Sequence, residues 1–101
     1  MTDEGPARLD ATIRGRVQGV GFRYHVLRAG MALGLRGWVA NEADGSVRTV
    51  AEGPRPDLER FVETLHEGPP AAIVDRVVVA WGPAVGDLGT FAIRSGAHRG
   101  D

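Results

Sequence analysis

A glycine-rich turn between an apparent strand and an apparent helix constrains this chain more than any other stretch. It reads Gly15-Arg16-Val17-Gln18-Gly19-Val20-Gly21-Phe22-Arg23, with three glycines in its first seven positions. Residues 9–15 before it alternate apolar and polar side chains, the period of a half-buried strand. Apolar residues recur at helical spacing after it, namely Phe22, Val26, Ala29 and Leu33. Because glycine permits tight bends and close approach of a ligand to the backbone, the turn predicts an accessible loop.

The predicted first helix begins without a side chain that could cap it. Ser, Thr, Asp and Asn are all absent from Gly15 to Arg23, although one of these types usually accepts a hydrogen bond from the first turn. Arg23 also places a cation at the positive end of the helix dipole, which is mildly unfavourable. A bound anion would satisfy the amides and the arginine together. The alternatives are a plain tight turn and an exposed arginine without a ligand.

The second predicted helix starts in the more usual way. Pro56 suits its first turn, and Asp57 and Glu59 are expected in that turn, where the dipole favours acids. Its apolar face has the helical spacing of Leu58, Phe61, Val62 and Leu65. The arginine at the start of the first helix therefore departs from the pattern of its own chain.

Four further runs have the character of strands. Asp44-Gly45 separates the runs 35–41 and 46–52, which is a good hairpin signal. Two more strands are predicted at residues 75–81, after Gly68-Pro69-Pro70, and at residues 90–95, after a loop over residues 82–89.

The order of elements is β-α-β-β-α-β with an added C-terminal strand. This is the ferredoxin-like arrangement, an α+β two-layer sandwich with an antiparallel sheet and two helices on one face. The length of 101 residues suits one domain with one core. We therefore expect a single domain over residues 1–101, with flexible tails at residues 1–6 and 96–101.

Composition excludes several classes of function. The chain has no cysteine, which excludes disulfides, thiolate metal sites and cysteine nucleophiles. All 12 basic residues are arginine, which excludes lysine Schiff-base chemistry. No apolar run approaches the ~20 residues that cross a bilayer, and residues 1–6 are acidic and polar, unlike a signal peptide. We expect a cytoplasmic protein without a membrane partner.

Charge is distributed unevenly along the chain. Residues 1–36 hold six arginines against three acids, and the remainder holds six arginines against ten acids. The positive segment around the glycine turn suits a small anion but is too slight for a nucleic-acid groove. The three histidines also lack metal-ligand spacing. We therefore expect neither a nucleic-acid partner nor a metal site.

Several segments, in this order, resemble the acylphosphatase family. Gly15–Arg23 is similar to the phosphate-loop signature of that family, and Gly37–Asn41 is similar to its second motif. Asp44-Gly45, Glu52-Gly53-Pro54 and Gly68-Pro69-Pro70 also fit its pattern. The resemblance covers residues 9–93, and two motifs in the right order on the right elements make it specific.

The resemblance implies hydrolysis of acyl phosphates, the mixed anhydrides of a carboxylate and phosphate, without a metal or another cofactor. By resemblance Arg23 would bind the phosphate and Asn41 would orient the attacking water. The implied phosphate cradle is made of the backbone amides of Gln18, Gly19, Val20, Gly21, Phe22 and Arg23.

Two positions bear on the implied site. Gly21 stands where the family tolerates several residue types, so we expect a more mobile loop. Glu42 follows Asn41 directly, and a carboxylate at the site would repel phosphate. Since neighbouring side chains on an extended backbone point to opposite faces, we expect Glu42 to face away.

The implied reaction suits these residue types. Charge accumulates on the equatorial oxygens of a transferred phosphoryl group, where amides and a guanidinium stabilise it. The leaving carboxylate is a weak base of pKa ~4 and needs no general acid. Asn41 is no base at neutral pH, but its side-chain oxygen can hold a water for in-line attack. The scheme therefore needs no metal.

Two other functions compete with this one. A non-catalytic anion-binding module on the same fold is the first, and RNA binding is the second. RNA binding is disfavoured because the first and third predicted strands carry no aromatic residue for base stacking. Asn41 taken alone could be a hairpin residue, and His25 is expected at the surface. Since the loop grips only phosphate, we expect broad acyl selectivity, and a monomer.

Overall fold

The structure, a computed structural model, describes residues 5–95. Residues 1–4 and 96–101 of the predicted tails lie outside the described residues. Within residues 5–95, no helix has the length and apolar character needed to span a membrane. The elements follow the predicted order: β1 Ala7–Arg16, α1 Phe22–Ala32, β2 Arg36–Asn41, β3 Val47–Gly53, α2 Arg55–Glu67, β4 Ile73–Pro83 and β5 Ala92–Ile93.

One five-stranded sheet has the strand order β4-β1-β3-β2-β5. Strands β1 and β2 both pair antiparallel with β3, so they run in the same direction and end at the same end of the sheet. Val47 of β3 lies opposite Ile13 on one side and opposite Asn41 on the other. The glycine turn after β1 and the end of β2 therefore emerge together, two strands apart.

The prediction of an antiparallel sheet is right for four strands and wrong for the fifth, because β5 runs parallel to β2. The cause is the connection that leaves β4 and crosses one end of the sheet. Along that path Ala84 N–H bonds the Pro6 carbonyl at 3.4 Å, and the Gly89 carbonyl accepts from Gly37 N–H at 3.1 Å. The chain therefore enters β5 from the end at which β2 starts.

Helix-facing side chains of the sheet form the core with both helices. Leu9, Ala11 and Ile13 of β1 have no exposed surface. Phe91, just before β5, is 4% exposed and meets the Phe61 ring edge-on at a centroid distance of 5.7 Å. The added strand is therefore anchored in the core by the aromatic side chain that precedes it.

The other face of the sheet is uncovered by helices and carries charged side chains. The Arg8 guanidinium lies 2.7 Å from a carboxylate oxygen of Glu52. The guanidinium carbons of Arg48 and Arg94 lie 5.5 and 4.4 Å from the centroid of the Trp38 ring. Both helices therefore lie on one face, as predicted, and the open face is polar.

Candidate active site

The glycine loop is pinned from within and accessible from outside. Val17 and Phe22 are each 1% exposed and fix its two ends in the core. Gly19 and Gly21 are exposed and have φ angles of 75° and 82°, in the left-handed region that side chains disfavour. A Cβ added at either glycine would meet no described atom within 4 Å. The left-handed conformation, rather than a lack of space, therefore favours glycine at these two positions.

Helix α1 starts directly from this loop. Gly21 is its N-cap, no side chain caps it, and its first turn holds no acid. Helix α2 also lacks a capping side chain, but Asp57 lies in its first turn. Glu59, which we expected in that turn, lies beyond it and pairs with Arg55 at 3.2 Å. Arg55 is the first residue of α2, so an arginine also lies in the first turn of the second helix, contrary to the expectation from the sequence. What still distinguishes the two helix starts is Asp57, because the first turn of α1 holds no acid.

Arg23, the second residue of α1, is half-buried and lies where the loop meets the helix. It lines a small cleft of about 230 Å³ together with Gly19, Gly21, Tyr24 and Ile93. Arg23 thus shares a cleft with Gly19 and Gly21, the two loop glycines that have left-handed φ angles.

Asn41, the last residue of β2, is a buried polar side chain. It is 6% exposed, and its side-chain oxygen is buried without a hydrogen-bond partner within residues 5–95. Because Val39, two residues earlier, is fully buried in the core, Asn41 lies on the helix-facing side of the sheet. A buried acceptor without a partner costs about 1–3 kcal/mol and calls for an explanation.

Gln18 joins the loop to the strand end that carries Asn41. Its side-chain amide nitrogen donates to the backbone carbonyls of Glu42 at 2.8 Å and Ser46 at 2.9 Å. Glu42 is the residue after Asn41, so these bonds hold the loop against the start of the β2–β3 hairpin. From the sequence we expected only a backbone role for Gln18, and no pattern along the chain signals this side-chain bridge.

Glu42 lies away from the loop, as expected. It lines a depression on the open face of the sheet together with Asp10, Thr12, Arg14 and Arg48. Its charge also helps to raise the pKa of Arg48, although a hydrogen bond to Asp10 is the larger cause. The carboxylate therefore belongs to the face opposite Asn41.

The hairpin turn is fastened by Asp44. Its carboxylate accepts from the Ser46 hydroxyl at 2.6 Å and from the Ser46 N–H at 3.0 Å, and Arg14 lies 3.2 Å away. The hydrogen bonds from Ser46, followed by the nearby Arg14, lower the pKa of Asp44 to about 2. An aspartate two residues before a serine across a glycine is a recognisable turn signal, which could have predicted this contact.

His25 differs from expectation because it is half-buried rather than a surface residue. Its Nε2 atom is buried and lacks a hydrogen-bond partner among residues 5–95. The centroid of its ring lies 6.0 Å from the centroid of the Phe22 ring. No group of three or more His, Asp or Glu side chains suited to a metal occurs in the described part of the chain.

Comparison with known proteins identifies the family. A sequence model described as Acylphosphatase matches residues 9–93. The chain belongs to the acylphosphatase family. The acylphosphatase of Salinibacter ruber is 49% identical over 87 residues, which cover 86% of this chain and 92% of that protein. The crystal structure of the Bacillus subtilis acylphosphatase matches with a TM-score of 0.84 at 38% identity, covering 87% of this chain and 98% of that one. The ferredoxin-like α+β prediction is thereby confirmed.

The same fold also occurs inside a much larger chain. The crystal structure of full-length HypF, in its phosphate- and nucleotide-bound form, matches with a TM-score of 0.81 at 29% identity. The match covers 90% of the present chain but only 12% of HypF. Acylphosphatase relatives of similar length and a region of a large protein thus share this architecture.

Proposed function

We propose that this member of the acylphosphatase family hydrolyses acyl phosphates to a carboxylate and inorganic phosphate, with Arg23 and the loop amides binding phosphate and Asn41 orienting water. The observation that carries the proposal is the buried side-chain oxygen of Asn41, which has no partner within residues 5–95. Gln18 holds the phosphate loop against the residue that follows Asn41. The loop and the strand end therefore act as one site.

Phosphate binding is assigned to the loop from Gln18 to Arg23. Left-handed glycines at alternate positions, Gly19 and Gly21, curve the backbone as in the concavities that bind anions. The uncapped start of α1 adds N–H groups and a positive dipole end. Arg23 supplies a guanidinium, which can bind two phosphate oxygens at once. Together these donors stabilise the charge that develops on the equatorial oxygens.

Asn41 is assigned to the attacking water. Its side-chain oxygen accepts a hydrogen bond from that water and fixes it for in-line attack on phosphorus. The water oxygen forms a bond to phosphorus as the bond from phosphorus to the acyl oxygen breaks. The carboxylate leaves with the electron pair, and a water proton passes to a phosphate oxygen. Since a carboxylate of pKa ~4 leaves readily, no general acid is required.

Substitution of Arg23 tests the proposal. Arg23→Ala should reduce the turnover of benzoyl phosphate by about 10²–10⁴-fold, the loss of about 3–5 kcal/mol expected for a transition-state donor. Arg60→Ala is the matched control, because Arg60 is an exposed arginine on α2. Turnover of the wild type should continue in the presence of a chelator. Full activity of Arg23→Ala would refute the assigned role.

The turnover assay, together with measurements of phosphate binding and RNA binding, separates the enzyme from the two competing functions. An anion-binding module would retain inorganic phosphate without turning over benzoyl phosphate. RNA binding predicts retention of single-stranded RNA at moderate salt, and we expect none. These measurements distinguish all three functions with one preparation of protein.

We further propose a single domain that acts as a monomer in the cytoplasm. One core shared by both helices and the sheet supports the single domain. Light scattering of the purified chain tests whether it is a monomer, and imaging of a tagged chain in its own cell tests the cytoplasmic location.

A further inference from the structure

One side of the phosphate loop opens onto a cleft whose other walls are apolar. The cleft has a volume of about 230 Å³ and is lined by Gly19, Gly21, Arg23, Tyr24 and Ile93. Tyr24 is 59% exposed and Ile93 is 41% exposed, so both side chains are accessible to a ligand in the cleft. No carboxylate lines this cleft among the described residues. It therefore joins an anion-binding backbone to an exposed apolar surface.

Both apolar walls are held in place by neighbouring groups. The guanidinium carbon of Arg28 lies 5.7 Å from the centroid of the Tyr24 ring, one helical turn further along α1. Ile93 pairs with Val39 in the sheet, and the next residue, Arg94, donates its N–H to the Val39 carbonyl at 2.9 Å. The backbone of both walls is therefore already fixed, that of Tyr24 in α1 and that of Ile93 in the sheet, which favours binding.

We propose that this cleft binds the acyl group of the substrate, and that Tyr24 and Ile93 favour aryl and other apolar acyl groups over acetyl. The inference rests on the proposed function, because the phosphate on the loop fixes where the acyl group begins. In an acyl phosphate the carbonyl carbon is separated from phosphorus by a single oxygen, so a cleft continuous with the loop is within reach. Tyr24 offers a ring face for stacking, and Ile93 offers an aliphatic contact.

The preference is modest in size. Partial burial of one exposed apolar side chain against a ligand gains less than full burial in a core. We expect a factor of about 3–10 in KM for each side chain, comparable to a small apolar contact in an enzyme pocket. Such a factor leaves room for broad acyl selectivity, because apolar contacts of this size do not strongly reject other acyl groups.

The test compares benzoyl phosphate with acetyl phosphate in four variants. Tyr24→Ala and Ile93→Ala remove the two walls, Tyr24→Phe keeps the ring, and Val78→Ala truncates an exposed apolar side chain on β4. For each, kcat and KM are measured with both substrates, together with inhibition by inorganic phosphate. The phosphate inhibition constant reports on the loop alone.

In Tyr24→Ala and Ile93→Ala we expect KM for benzoyl phosphate to rise about 3–10-fold. Values for acetyl phosphate and for phosphate inhibition should change less than about twofold, and Tyr24→Phe and Val78→Ala should match the wild type. Equal changes for both substrates, or no change for either, would overturn the acyl site while leaving the hydrolysis intact. A wild type that hydrolyses neither substrate would instead overturn the proposed function, and the acyl site with it.

Discussion

Two buried polar side chains at opposite ends of the β2–β3 hairpin differ in how they are satisfied. Glu52 is 7% exposed, and its carboxylate accepts from Arg8 at 2.7 Å, from Val85 N–H at 2.8 Å and from Gly86 N–H at 3.0 Å. Asn41 is 6% exposed, and its side-chain oxygen has no partner within residues 5–95. Burial is nearly equal, so the difference lies in the partners.

On the function proposed above, the difference separates a group that serves folding from one that serves chemistry. Glu52 fastens β1 and the crossing connection after β4 to β3, and its hydrogen bonds offset its desolvation. Asn41 carries the cost of burial without that compensation in the described chain. Uncompensated burial of this kind is expected where a substrate or its water supplies the missing partner. Substitution of Asn41 should therefore lower activity with little effect on stability, whereas substitution of Glu52 should lower stability with little effect on activity.

Asn41→Ala should show the largest effect on activity. We expect kcat for benzoyl phosphate to fall about 10²-fold or more, because the attacking water loses its fixed position. The free energy of unfolding should stay within about 1 kcal/mol of the wild type, since the variant loses packing but also loses an unsatisfied acceptor. Steady-state kinetics and urea unfolding measure the two quantities. Normal turnover in a folded Asn41→Ala variant would contradict the assignment.

Glu52→Ala should lower stability and leave activity nearly unchanged. Its removal leaves Arg8 and two backbone N–H groups without their acceptor, so we expect a loss of about 2–3 kcal/mol in the free energy of unfolding. Glu52→Gln keeps the shape and one acceptor, and should lose about half as much. For both variants kcat should remain within about twofold of the wild type under conditions where they are folded. A large loss of kcat would show that the two ends of the hairpin are coupled.

Gln18→Ala should have an intermediate effect, because this side chain connects the loop to the Asn41 end. We expect kcat to fall about 10-fold, with a loss of about 1–2 kcal/mol in stability for two hydrogen bonds to backbone carbonyls. Inhibition by inorganic phosphate should change less than kcat, because the loop amides remain. Gln18→Asn, which is too short to reach both carbonyls, should behave in the same way. An equal loss in phosphate affinity and kcat would indicate a collapsed loop instead.

The surroundings of Asn41 could be predicted from the sequence better than the surroundings of Glu52, at the other end of the β2–β3 hairpin. The glycine loop, Arg23 and Asn41 belong to local motifs, and the order of strands then brings the ends of β1 and β2 together. Their assigned roles remain predictions that the variants above test. The bridge from Gln18 was not predicted, because a glutamine in a loop carries no sign of which carbonyls it will meet.

The Glu52 end depends on a contact that is distant in sequence. Alternation along β3 indicates that Glu52 faces away from Val47 and Ala51, and it is silent on what covers that face. The covering segment includes Val85 and Gly86, more than 30 positions further along the chain. The same crossing connection sets the direction of β5, which is why the parallel pairing was also missed. Periodicity gives the face of a strand, whereas the path of a long connection decides what lies on it.

Asp44→Asn should show the smallest effect and the clearest dependence on pH. The folded pKa of Asp44 lies near 2, below its ordinary value of 3.8, chiefly because of the hydrogen bonds from Ser46. A lowered pKa contributes stability that is present above about pH 4 and is lost as the pH falls toward 2. The contribution is small, because the carboxylate is exposed and screened by solvent.

Urea midpoints of the wild type and Asp44→Asn, measured at several pH values, check this prediction. The wild type should unfold at higher urea at pH 7, and the two midpoints should converge between about pH 4 and pH 2. Asp87→Asn is a useful comparison, because that exposed acid meets Arg8 at 3.3 Å and takes no part in the turn. Turnover by Asp44→Asn should stay near that of the wild type, since Gln18 still holds the Ser46 carbonyl and with it the end of β2. A midpoint difference that is independent of pH would assign the effect to the shape of the turn rather than to the charge of Asp44.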